Sequence, residues 1–169
     1  TGKSWLLKEI NHQLRSTPPP AGLSNVHSYY LDLALEAGKE SEAGVCHVLG
    51  EVFNGLDSSI GMLRLKNLAL GPLSDMLIEK RDKIKEEVPQ HIHIFLFDHV
   101  DESQEAFLSL LEDRCLALIA SLPNILIILA GRGKAYVWKR LDLKQEPISL
   151  LPFDPAHTEE QLRTQLPTL

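Results

Sequence analysis

The order of periodic segments in this sequence predicts an α/β fold built on a parallel sheet. Two observations carry that expectation. Strand-like runs alternate with amphipathic helical stretches, as in folds whose strands are joined by right-handed helical crossovers. One run, ILIIL at 125–129, is apolar at every position. Strands without polar alternation lie between helix layers. The length, 169 residues, suits one domain with a sizeable core.

The elements follow in order. KSWLLKEINHQL spaces Trp5 or Leu6, Leu7, Ile10 and Leu14 along one helical face, and the helix must stop at STPPP. NVHSYYLDLALE predicts a strand over Val26 to Leu35. Within 37–70, EAGKESEAG reads as loop and VCHVLGEVFNGL as helix, with Val45, Val48, Leu49, Val52, Phe53 and Leu56 at helical spacing. LSDMLIEKRDKIKEEV is an amphipathic helix with Leu73, Leu77, Ile84 and Val88 on one side, ended by Pro89. HIHIFLFDHVD is a short apolar strand ending in acids. Ser103 is placed to cap the helix that follows, with Phe107, Leu110, Leu111, Cys115, Leu118 and Leu122 on one face. Pro123-Asn124 makes a turn before the ILIILAG strand. PISLLPF predicts a further strand. HTEEQLRTQL predicts a last helix, with Thr158 and Gln161 in a capping-box pattern.

Composition narrows the function classes. Hydrophobic residues make up 44% and charged residues 24%, which fits a globular chain. The formal net charge of −6 argues against a broad nucleic-acid surface, because phosphate neutralisation needs clustered Lys and Arg. The two cysteines, Cys46 and Cys115, are too few for a disulfide framework or a zinc site, so a reduced, cytoplasmic setting is expected. No signal peptide opens the chain, and its longest apolar run is too short to cross a bilayer.

Three stretches carry chemistry. The first is TGKS at 1–4, which matches the end of the phosphate-binding pattern G-x-x-x-x-G-K-[ST]. There, backbone N–H groups and a helix N-terminus cradle phosphates, Lys3 would reach the β- and γ-phosphates, and the Ser4 hydroxyl would bind Mg²⁺. The plainer reading is a helix start with Ser4 near its cap. Gly38-Lys39 and Gly133-Lys134 lack the Ser or Thr. The second is FLFDHVDE, which delivers Asp98 to the carboxyl end of a strand, where open α/β sheets bind ligands. Asp98 there can hold Mg²⁺ through water, and Asp101 and Glu102 follow within reach of an attacking water. The plainer reading is a polar loop that caps the next helix. The third is ILIILAGRG, which sets Arg132 between two glycines at a strand end. An arginine there can sense a γ-phosphate, although loop arginines are more often merely solvated.

TGKS, FLFDHVDE, ILIILAGRG and ISLLPFDPAHTEEQL, in that order, resemble the STAND class of P-loop NTPases, signal-transduction ATPases related to the AAA+ and NACHT-type ATPases. In that class the second motif reads apolar strand-Asp-x-x-Asp-Glu, matching Asp98, Asp101 and Glu102. The resemblance covers most of the chain except about 37–70, which reads as a helical insertion. It implies a three-layer α/β/α nucleotide-binding domain over 1–169, with the first strand and the first half of the phosphate loop lying before Thr1. It implies ATP and Mg²⁺ as cofactors, with Thr1, Gly2, Lys3, Ser4 and Trp5 around the nucleotide and Ser4 and Asp98 around the metal. Asp101, Glu102 and Arg132 would serve hydrolysis, and the switch would act on protein partners or self-assembly. Two other functions fit such a fold: a scaffold module with little catalysis, or a helicase-loader ATPase on DNA, against which the acidic balance counts.

Some residues have weaker claims. His91 and His93 share a strand face and could bind a metal, but no third ligand is evident, and a strand-edge or interface role is the simpler reading. His99 reads as a loop residue near the site. The Trp5 ring is expected to pack under the sheet. Lys134, Lys139, Arg140 and Lys144, interleaved with Tyr136 and Trp138, could form a partner or nucleic-acid contact or, more simply, a solvated loop with inward aromatics.

Overall fold

The computed structural model describes residues 2–16, 18, 25–36, 41–56, 68–86, 91–132 and 136–141. Helix α1 spans Gly2–Ser16, strand β1 Asn25–Asp32, helix α2 Ser41–Leu56 and helix α3 Leu70–Glu86. Strand β2 spans His91–Asp98, followed by a 3₁₀ turn at Val100–Glu102. Helix α4, Glu105–Leu111, continues through a π-helical turn, Glu112–Leu116, into the short helix α5, Ala117–Ile119. Strand β3 spans Ile125–Leu129. The expected PISLLPF strand, the 157–166 helix, Thr1, Val88, Pro89, Lys134, Lys144 and, within the 37–70 stretch, residues 37–40 and 57–67 lie outside the described residues, while Ser41–Gly44 of the expected EAGKESEAG loop are already helical.

The three strands form a parallel sheet in the order β1-β2-β3. Register sets Asp32 opposite Asp98, Tyr30 opposite Leu96 and His27 opposite His93. Side chains alternate across a strand, so each face has its own set. Tyr29, Leu31, Phe95, Phe97, Ile127 and Leu129 meet the main core, which α2, α3, α4 and the π turn build from Val45, Leu49, Leu73, Leu77, Leu111 and Leu116. Val26, Tyr30, Ile94, Leu96 and Ile128 meet Leu7, Ile10 and Leu14 of α1 on the other face. The sheet is thus sandwiched between helices. Phe95 and Phe97 are fully buried, and each stabilises the fold by about 2–3 kcal/mol in transfer free energy.

Helix α1 is held to β1 by more than apolar contact. The buried Ser28 hydroxyl donates to Asn11 Oδ1 at 2.8 Å, and the Lys8 ammonium lies over the Tyr30 ring. These contacts show α1 running antiparallel to the strands, its first turn at their carboxyl ends.

Four expectations change. The first strand ends at Asp32, because the Asp32 carboxylate accepts the Ala34 N–H at 3.1 Å and turns the chain into a 3₁₀ turn at Leu33–Leu35. Ser103 does not cap α4: the helix starts after Gln104, and the buried Ser103 hydroxyl has no partner. Trp5 does not pack under the sheet, since its side chain is 46% exposed. β3 is not sealed along its whole length: Leu126 is 49% exposed, while Ile128 on the same face meets the α1 cluster.

Candidate functional site

The site lies where β1 and β2 end. In-register parallel pairing sets two strand-terminal carboxylates, Asp32 and Asp98, side by side. Asp98 shares the strand face of Ile94 and Leu96, so it projects toward α1. Ser4, in the first turn of α1, meets it there and hydrogen-bonds its carboxylate. Ser4 Oγ also lies 3.4 Å from His99 Nε2. The structure therefore brings Ser4 and Asp98 together, although 93 residues separate them in the chain.

His99 organises this corner. Its backbone is left-handed, with φ 58°, a conformation rare for residues other than glycine. That turn aims its N–H at Asp98 Oδ1, at 2.9 Å, and its Nδ1 at Asp32 Oδ1, at 2.8 Å. Tyr30 donates its hydroxyl to Asp98 Oδ2 at 2.8 Å. Asp98 is 2% exposed and accepts from Tyr30, His99 and Ser4.

The charges follow from these contacts. Burial alone would raise the Asp98 pKa, but hydrogen bonds from Ser4, Tyr30 and the His99 N–H outweigh it and hold the group below the usual carboxylate range. Burial and the bond to Asp98 push the Tyr30 phenol well up, so it remains a donor. Burial lowers the His99 pKa, yet the hydrogen bond that His99 donates to Asp32 and the charge of Asp98 outweigh it and raise the net value.

The remaining expected residues sit around this cluster. Lys3 is half-buried and Gly2 exposed in the first turn of α1. Asp101 and Glu102 form the exposed 3₁₀ turn after His99. That turn is stitched to the end of β3: Val100 N–H donates to the Ala130 carbonyl at 3.0 Å, and Ala130 N–H to the Phe97 carbonyl at 2.8 Å. Gly131 lies against Asp101, and a Cβ there would stand 3.1 Å from Asp101 Oδ1. Arg132, exposed, is the next residue beyond this contact. Tyr30, Asp32 and the orienting role of His99 were not anticipated from sequence. A signal existed: YYLD at 29–32 ends in an acid just as FLFD at 95–98 does.

Among the described residues, no three His, Cys, Asp or Glu side chains form a set that could hold a metal ion. His27, opposite His93, does bring a third imidazole beside His91 and His93, but as stacked and tilted rings. An ion held largely by phosphate oxygens and water, with one carboxylate and one hydroxyl from protein, is the mode Mg²⁺ favours. Ser4 against Asp98 fits that mode. A groove of about 970 Å³ runs along β1, lined by residues including Asn11, Arg15, Tyr30, Asp32, His47 and Glu51. It reaches the cluster only at Tyr30 and Asp32, so the chemistry, not the groove, locates the site. In the 136–141 segment Tyr136, Trp138 and Leu141 turn toward the core, the two rings edge to face at 4.7 Å, while Val137, Lys139 and Arg140 stay exposed and Arg140 pairs with Asp113 at the surface.

No family model, curated protein or solved structure matches this chain. The functional reading therefore rests on the geometry itself. No helix among the described residues is long and apolar enough to cross a membrane.

Proposed function

We propose that the protein binds ATP with Mg²⁺ and hydrolyses it, as a switch domain of P-loop NTPase type. One observation carries the reading: the Ser4 hydroxyl of a G-K-S helix start lies on Asp98, the acid ending the central strand. Sequence chemistry asks for that pairing, since Ser4 and Asp98 are the two groups a phosphate-bound Mg²⁺ needs from protein.

The layering supports it. α1 covers one sheet face while α2 to α5 cover the other. Parallel connections are right-handed. A strand leading into α1 would then lie beside β3, opposite in direction to the β1-to-β2 step. Its loop would deliver Gly2, Lys3 and Ser4 over the strand ends. The exposure of Leu126 on β3 supports such a neighbour.

In this reading Lys3 and the first-turn N–H groups bind the β- and γ-phosphates. Bound Mg²⁺ would neutralise charge on the phosphate oxygens. Glu102 or Asp101 takes a proton from water as its oxygen bonds to the γ-phosphorus. The bond from that phosphorus to the bridging oxygen breaks, and ADP leaves with the electron pair. Arg132, beyond the Gly131–Asp101 contact, senses the γ-phosphate.

Steady-state turnover tests it. Asp101→Ala or Glu102→Ala should lower kcat by about 10²–10⁴ while ATP binding persists. Turnover unchanged in both variants contradicts the assigned roles. ATP binding without turnover in the wild type would mark an interaction module instead.

A further inference from the structure

We infer that Asp32 is a positioning residue of the cation site, acting on Ser4 through the His99 ring; the inference rests on the nucleotide-binding reading above. Three contacts form a chain. Asp32 Oδ1 takes the His99 Nδ1 hydrogen bond at 2.8 Å, His99 Nε2 lies 3.4 Å from Ser4 Oγ, and Ser4 lies on Asp98. A carboxylate only accepts, so Nδ1 must carry the proton. The ring is thereby fixed in tautomer and orientation, and Nε2 faces the hydroxyl.

Asp32 is itself held. The Ala34 N–H binds the same Oδ1 at 3.1 Å, a consequence of the 3₁₀ turn that follows β1. The backbone of His99 is held as well, by its left-handed turn and its N–H bond to Asp98. Ser4 alone, on a short side chain with three staggered rotamers, has freedom left to lose. The imidazole removes it, keeping the hydroxyl against Asp98 where a phosphate-bound cation would meet both oxygens. Outer partners of this kind orient the groups that touch a metal, and their loss costs about 10–100-fold in metal affinity.

The test is a titration of a fluorescent ATP analogue, the N-methylanthraniloyl ester, on the full-length protein at fixed pH. One arm varies Mg²⁺ and the other holds EDTA. Asp32→Ala should raise the Mg²⁺ concentration for half-maximal binding about tenfold and leave binding in EDTA unchanged within twofold. Asp32→Asn should behave like wild type, because its amide oxygen still accepts the Nδ1 proton. A structural role would weaken both arms together, and that result overturns the inference. So does an Asp32→Ala protein with wild-type Mg²⁺ dependence, or an Asp32→Asn protein that resembles Asp32→Ala. Mg²⁺-independent or absent binding in the wild type removes the nucleotide reading first, before any variant is compared.

Discussion

His93 is neutral in the fold because of what surrounds it. Burial lowers its pKa, and His27, His91 and Lys80 add like charge, so the value falls to about 4 against a usual 6.5. The Gly55 carbonyl of α2 opposes the shift slightly, Tyr29 stacks on the ring, and Nδ1 is buried without a partner. The folded state therefore refuses a proton that the unfolded chain accepts between pH 6.5 and 4. Stability from this group is present above pH 6.5 and is lost as pH falls toward 4. Urea midpoints should drop less over that window in His93→Phe than in wild type; equal drops contradict the assignment. Gly131 yields a second residue-scale prediction. Gly131→Ala places a Cβ 3.1 Å from Asp101 Oδ1 and 3.2 Å from its N. The turn must shift, and turnover should fall about tenfold or more with little change in ATP affinity. Single residues were also the hardest to read from sequence. Asp98 was legible because two acids follow it. Asp32 was not, because its strand assignment ran on to Leu35 and hid a strand-terminal acid inside an element.

Elements were legible where a period was long and uninterrupted. α2, α3 and β2 lie where their apolar spacing put them, since burial of those faces decides the structure. The helix after β2 was harder. Its apolar face predicted Phe107, Leu111 and Cys115 in the core, and they are buried. The π turn at Glu112–Leu116 was invisible, because it answers to one buried side chain. Glu112 is 1% exposed and accepts the N–H groups of Arg140, at 2.6 Å, and Leu141, at 3.1 Å. A sequence-based period treats such a glutamate as a solvent residue. Glu112→Ala leaves both donors unpaired and should cost about 3 kcal/mol in urea unfolding, with Glu112→Gln recovering part of it through its amide oxygen. A loss under about 0.5 kcal/mol would show that water replaces the carboxylate. Gly44 tests the packing of α2 on α4 in the same assay. An alanine Cβ would stand 2.9 Å from the Phe107 ring, and Gly44→Ala should destabilise by about 1–3 kcal/mol.

At the scale of the whole molecule, alternation of helix and strand was enough to expect a parallel α/β sheet, and the described sheet is parallel throughout. What the sequence withheld was the layering, which depends on contacts between distant segments. Only the fold shows α1, among the described helices, on the face opposite α2 to α5, with its first turn over Asp98. That placement turns three separate short motifs into one corner of the molecule, with Ser4, Asp98, Asp101 and Gly131-Arg132 around the strand ends. Calorimetric titration of Mg·ATP into the full-length protein and its Lys3→Ala variant decides whether this corner binds Mg·ATP through Lys3. The account predicts saturable binding in the wild type and ~100-fold weaker binding in Lys3→Ala, about 2.7 kcal/mol. Equal affinities in the two proteins would contradict it.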